Sequence, residues 1–162
     1  MLNFVSGDMF ELEADVLVNT INYVGVMGCG VALAFKNRYP EMFQSYRRIC
    51  NRKTNTLLPG MIHEYKIKDG PTILNFATKN HWRNPSQYSY IESGLKRLKN
   101  WLNECKHGTI VALPALGCGH GGLDWDIVKA MIQEYLGDIE DITIYVFQPN
   151  DSRSLGENEC HI

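Results

Sequence analysis

Residues 25–35 read GVMGCGVALAF, and they follow directly on the apolar run ADVLVNTIN at residues 14–22. A run of this kind, apolar on both faces, reads as a buried strand. The glycine-rich stretch after it reads as a tight loop, and VALAFKNRYP reads as a helix ending near Pro40. A second stretch, LPALGCGHGGLDW at residues 113–125, repeats the arrangement. There the apolar strand is TIVAL (109–113), and the helix that follows the loop runs from Asp126 to Leu136. Two strand–loop–helix units with glycine at the same topological position predict an α/β domain whose ligand edge carries both loops.

The rest of the chain fits around these two units. Residues 2–5 (LNFV), 15–19 (DVLVN), 61–67 (MIHEYKI), 72–77 (TILNFA), 109–113 and 142–147 (ITIYVF) read as strands, about six in all. Pro40 starts a second helix, since the first helical N–H is unpaired in any case. Met42, Tyr46, Ile49 and Cys50 fall on one face of it. A long amphipathic helix over 88–105 turns Ile91, Leu95, Leu98 and Leu102 inward. In the last helix Val128, Met131, Ile132 and Tyr135 are expected to face inward, and Gly137 ends it. Strands alternating with helices place helices on both sides of a mixed, mostly parallel sheet.

The 162 residues fit one domain, read here as 1–149 with a polar tail over 150–162. A net charge of −2 gives no bulk attraction to nucleic acid or membrane, so any nucleic-acid contact comes from a local patch. The five cysteines are scattered and odd in number, without a CxxC pair. That pattern argues against a disulfide framework and a zinc site, and it fits a reduced cytoplasmic compartment. No metal is expected, no signal peptide is visible in MLNFVSGDMF, and no apolar run is long enough to span a membrane.

A glycine loop opening a helix offers backbone N–H groups and a helix N-terminus to an anion. Glycine also removes the Cβ that would hold a phosphate off. The two familiar phosphate loops are absent. There is no GxxxxGK[ST], and Gly28-Cys29-Gly30 is followed by Leu33 where GxGxxG needs glycine. Two cradles without a gripping lysine suit a diphosphate joined at both ends.

GDM (7–9), VNTIN (18–22), GVMGCGVALAF and PALGCGHGGLDW, in this order, resemble the macrodomain family. NFATKNHWR (75–83) and GCGHGGLDW draw the resemblance closer to the DarG antitoxin branch, DNA ADP-ribosyl glycohydrolases related to the human terminal ADP-ribose protein glycohydrolase. The resemblance covers residues ~1–149. It implies a three-layer α/β/α macrodomain that binds ADP-ribose as ligand and product, with no cofactor. It also implies cleavage of ADP-ribose from thymine in single-stranded DNA, reversing a DarT-type toxin. A protein ADP-ribosyl-carboxylate ester hydrolase and a non-catalytic ADP-ribose reader stand as alternatives. Members of the branch carry a further, DarT-blocking domain, whereas this chain ends at Ile162. A truncated antitoxin, a stand-alone enzyme and a mobile-element protein all stay open.

The resemblance also assigns residues. Asp8 would bond the adenine amine with the Met9 backbone beside it, or serve only as a turn aspartate. Asn19, Thr20 and Asn22 would shape the distal ribose pocket. Gly28, Cys29, Gly30 and Val31 would wrap one side of the diphosphate. Pro114, Leu116, Gly117, Cys118, Gly119, His120, Gly121 and Gly122 would wrap the other, and Phe147 would lie near the adenine or in the core.

Lys79 follows the strand TILNFA at the ligand edge and is the expected nucleophile. Burial and neighbouring cations, here His81 and Arg83, would let its amine lose a proton. Asp124 and His120 are candidate acid/base groups. Asp124 reads equally as a helix N-cap and His120 as a polar loop residue. His81, Trp82 and Arg83 mix charge with an aromatic ring, a combination that binds single-stranded DNA, although Trp82 reads equally as packing on a helix.

Overall fold

The computed structural model describes residues 1–54 and 57–149, so the expected polar tail lies outside the described residues. The elements run β1 (Leu2–Val5), β2 (Val16–Ile21), α1 (Gly30–Arg38), α2 (Pro40–Cys50), β3 (Ile62–Lys66), β4 (Thr72–Ala77), α3 (Tyr88–Asn103), β5 (Ile110–Pro114), α4 (Trp125–Leu136) and β6 (Thr143–Phe147). The six strands form one sheet in the order β1-β6-β5-β2-β4-β3. Every pairing is parallel except β3 with β4.

Local chemistry sets the element ends. Pro40 disfavours the α conformation at Tyr39, which sits at φ −130° and ψ 66°, so α1 stops and α2 starts there. Ile91, Leu95, Leu98 and Leu102 recur at helical spacing in α3 and are all buried. Gly137 follows the last residue of α4. Two ends differ from the expected boundaries by two residues: β2 continues past Asn19 to Ile21, and α3 stops at Asn103 rather than 105. A 3-10 turn over Met9–Glu11, which the sequence reading left out, is capped by the Asp8 side chain. Met131 and Tyr135 are only half-buried, along the outer seam of α4. The Tyr135 hydroxyl donates to Glu92 on α3 across 2.8 Å.

Alternation along the strands builds two cores. Val16, Val18, Leu74, Phe76, Val111 and Leu113 face α3 and α4. Leu17, Ile21, Ile73, Ala77 and Ala112 face α1 and α2. The chain leaves β2 for α1 on one face and β5 for α4 on the other. These two neighbouring strands pair at Val16–Val111 and Leu17–Ala112, near their amino ends. Adjacent strands whose connections depart to opposite faces form a topological switch point, where α/β sheets open a crevice for ligands.

Candidate functional site

A cavity of about 1260 Å³ lies over that crevice. Its walls include Gly28, Cys29, Gly30 and Val31 after β2, and Gly117, Cys118, Gly119, His120 and Gly121 after β5. The two loops approach each other closely: a Cβ on Gly30 would lie 3.9 Å from His120 Cδ2. Thr20, Asn22, Pro114 and Phe147 also line the cavity.

The segment between β4 and α3 props the second loop. Ser86 N donates to the Gly121 carbonyl (3.0 Å), and Asp124 N donates to the Tyr88 hydroxyl (3.1 Å). Glycine is required at two points of this loop by packing alone. Gly117 has φ +73°, and a Cβ there would meet Leu123 Cδ1 at 2.8 Å; a Cβ on Gly121 would run into the Gly117 carbonyl and Ser86 Oγ. Gly119 differs. Nothing lies within 4 Å of a Cβ built on it, although it lines the cavity. The fold leaves room for a side chain there, and a closely held ligand would not. Gly119→Val is therefore expected to weaken ADP-ribose binding by about tenfold, or about 1.4 kcal/mol, in calorimetric titration. Its thermal midpoint should stay within about 2 °C of the parent. Unchanged affinity would show that the loop does not approach the ligand at Gly119.

Lys79 stands where β4 ends, beside the first loop's origin. Its backbone N, with that of Thr78, bonds the Ile21 carbonyl at the end of β2 (3.4 and 2.9 Å). Its Nζ donates to the His120 carbonyl at 3.0 Å and the Trp82 carbonyl at 3.4 Å, so the amine is held against the second loop. Burial lowers its pKa from the ordinary lysine value. Of the two expected causes, burial and the neighbouring cations His81 and Arg83, burial is the one that acts. Cys118, the other nucleophile type in this wall, is pushed up to about 12, first by burial and then by the charge of Asp124. It stays a thiol at neutral pH and donates to the Leu116 carbonyl at 3.4 Å.

Trp82 and Arg83 line the cavity next to Lys79. The Arg83 guanidinium lies 4.5 Å over the Trp82 ring, and His81 stacks against that ring at 5.1 Å between centroids. Within its own loop the Trp82 ring thus meets both His81 and Arg83. His81 sits outside the lining, with Nδ1 accepting from Arg83 N at 3.1 Å.

At the other end stand Asp8, Met9, Phe10, Arg38, Phe147 and Gln148. Asp8 is the turn aspartate of its first alternative, Oδ1 accepting from Phe10 N at 2.9 Å, and it also lines the cavity. Phe10 and Arg38 were missing from the expected set. The Arg38 guanidinium lies 4.3 Å over the Phe10 ring, which meets Phe35 edge-on. Residues 28 positions apart carry no shared motif, so nothing in the sequence marks the pair.

Several expected residues stand elsewhere. Asn19 is fully buried between the sheet and α1–α2, because β2 runs on past it and its side chain points with Leu17 and Ile21 into that layer. Its Nδ2 donates to Asn75 Oδ1 at 3.0 Å. Leu116 is core under the second loop, and Gly122 is outside the lining. Asp124 is also outside it and caps α4, accepting from Asp126 N at 2.8 Å. Of the two acid/base candidates only His120 faces the cavity. Asp124→Ala is expected to cost about 1 kcal/mol in denaturant unfolding and to leave turnover within about twofold. A larger loss of turnover would make the cap reading insufficient.

Comparison with known proteins bears on the same surfaces. Residues 18–132 match the protein family described as Macro domain. The chain is 45% identical over 152 residues to the DNA ADP-ribosyl glycohydrolase of Thermus aquaticus, covering 92% of this chain and 41% of that protein. It spans less than half the length of the curated DNA ADP-ribosyl glycohydrolases it matches. The structure is similar to the macrodomain of Thermus aquaticus DarG (TM-score 0.83, 43% identity, 92% of this chain and 99% of that one). It is also similar to Thermosipho africanus DarTG in complex with ADP-ribose (TM-score 0.81, 34% identity, 95% of this chain and 44% of that one).

Proposed function

The chain belongs to the macro domain family, and from that premise we propose that it is a DNA ADP-ribosyl glycohydrolase: it releases ADP-ribose from thymine in single-stranded DNA, undoing the product of a DarT-type transferase. The observation that carries this reading is Lys79. A half-buried amine with a depressed pKa lines the switch-point cavity, held against the second glycine loop. A reader of ADP-ribose has no use for a lysine placed so.

In this mechanism the loops hold the diphosphate, which directs the distal ribose toward Lys79. The free amine attacks the anomeric carbon and forms a C–N bond as the bond to the thymine nitrogen breaks. The base leaves with the electron pair and takes up a proton, for which His120 is the imidazole in the wall. Opening of the ribose ring, with the ring oxygen taking up a proton, converts the lysine–ribose linkage to an imine, which water hydrolyses to free ADP-ribose and restore the amine. Trp82 and Arg83 flank the path of the base.

The reactive form is the unprotonated amine, and burial moves its pKa down. Below that pKa the free-amine fraction, and with it kcat/KM, is expected to rise about tenfold per pH unit, then to level off above it. The break should fall below the ordinary lysine pKa of about 10.4. A profile flat between about pH 6 and 9 would count against amine attack.

The test of function is direct. The protein is mixed with a single-stranded oligonucleotide carrying ADP-ribose on thymine, and the oligonucleotide mass is followed beside a protein ADP-ribosylated on glutamate. Loss of the ADP-ribosyl mass from the oligonucleotide is expected. An intact oligonucleotide beside a cleaved ester would replace this reading with an ester hydrolase. Neither cleaved, with ADP-ribose still bound, would make the domain a reader.

A further inference from the structure

We propose that Arg47, Arg48, Arg52 and Lys53 form a landing surface for the phosphate backbone of the nucleic-acid strand whose modified base enters the cavity. This inference rests on the glycohydrolase reading above. The stretch RRICNRK at residues 47–53 puts four cations in seven residues with no acid among them, in a chain whose net charge is −2. All four side chains are exposed, and none joins an ion pair among the described residues.

The fold brings this stretch to the cavity. α1 starts at the first glycine loop, and α2 returns the chain to the same edge of the sheet. At that edge the end of α2 is joined to the loop after β2. The Tyr46 hydroxyl donates to Asn22 O at 2.6 Å and lies 2.8 Å from Asn22 Oδ1. A Cβ on Gly25 would lie 3.5 Å from Cys50 Cβ and 3.6 Å from Arg47 Cγ. Asn22 lines the cavity, and the residue before it accepts the Lys79 backbone bond. The end of α2, with Arg47 on it and Arg48, Arg52 and Lys53 adjoining in sequence, is therefore tied to the loop that forms one wall of the cavity, and Arg83 with Trp82 lines the cavity next to Lys79.

Glu13, Asp15 and Asp69 line a shallow groove at the amino ends of the strands, away from the ligand edge. Asp138, Glu140 and Asp141 precede β6 at that same far edge. The helix dipole accounts for Arg47 and Arg48, which sit in the last turn of α2. It does not account for Arg52 and Lys53 beyond the helix, where four like charges repel one another in the free protein. A polyanion relieves that repulsion. A strand threaded into the cavity supplies evenly spaced phosphates where these cations stand, and the Trp82 ring adds the stacking partner that such grooves use.

The test uses an unmodified, fluorescently labelled single-stranded DNA of about 12 nucleotides, titrated by anisotropy at several salt concentrations. The comparison protein carries Arg47→Ala, Arg48→Ala, Arg52→Ala and Lys53→Ala together. The variant is expected to bind at least about tenfold more weakly, with a salt slope shallower by about two to three, near 0.7 for each lost phosphate contact. Turnover of ADP-ribosyl-thymidine as the free nucleoside should be unchanged, and so should ADP-ribose affinity, which also reports folding. Equal DNA affinity and slope in the two proteins would overturn the proposal. So would binding to phosphatidylserine vesicles without binding to DNA. If the parent protein leaves both nucleoside and oligonucleotide substrates intact, the glycohydrolase reading fails, while the titration still decides the surface.

Discussion

Lys79→Ala is expected to lower kcat on the ADP-ribosylated oligonucleotide by at least about 10³-fold while ADP-ribose affinity stays within a few fold of the parent. The two effects separate because different parts of the cavity carry them. In the proposed mechanism backbone groups of the two glycine loops hold the diphosphate, and the Lys79 amine acts on the anomeric carbon. Its Nζ spends its hydrogen bonds on the carbonyls of His120 and Trp82. Lys79→Arg is expected to be as inactive as Lys79→Ala, because guanidinium keeps its proton and offers no lone pair. This second variant matters because it preserves charge and bulk. Activity surviving in Lys79→Arg would reduce Lys79 to an electrostatic role. Binding lost in proportion to turnover would make it a ligand grip.

Gly94→Ala is expected to cost the largest amount of stability for one added methyl group, about 3 kcal/mol. In a domain of this size that lowers the thermal midpoint by roughly 10 °C. Gly94 sits in the middle of α3, over the Phe76 ring on β4. A Cβ there would overlap three atoms of that ring, the farthest at 2.7 Å. Phe76 has no room to yield, being wholly buried in the cluster that also holds Ile91, Leu95 and Leu98. The helix would have to lift from the sheet. Because β4 leads into Lys79, ADP-ribosyl turnover should fall too. Melting by circular dichroism gives the check, and an unchanged midpoint would mean that α3 shifts freely. In sequence alone Gly94 reads as a weak point in a helix, since glycine lowers helix propensity; the structure makes it the reason the helix sits so close.

The contrast between these positions shows what the chain spells out and what it hides. Both glycine loops, the alternation of strands and helices, and the placing of Lys79 after a buried strand were legible, because each depends on neighbours in sequence. The shared ligand edge of the two loops followed from the same pattern. Asn19 was misplaced because one residue decides which way a strand side chain points and where the strand ends. Asp124 was legible in one of its two readings, as a cap just before the helix. Phe10 with Arg38 was hidden because the pair forms only when α1 packs back over the turn after β1. The depressed pKa of Lys79 was anticipated from burial and from His81 and Arg83 together; burial is the cause that acts, and its extent is a property of the folded wall.

The claim on which the account turns is that Lys79 becomes covalently attached to the distal ribose during turnover. The most direct measurement is to mix the protein with the ADP-ribosylated oligonucleotide, reduce with borohydride during the reaction, and map the adduct by peptide mass spectrometry. The account requires ADP-ribose mass on the peptide that contains Lys79, absent when substrate or borohydride is left out. Substrate consumed to completion, with that peptide unmodified at every time point and turnover persisting in Lys79→Ala, would contradict it.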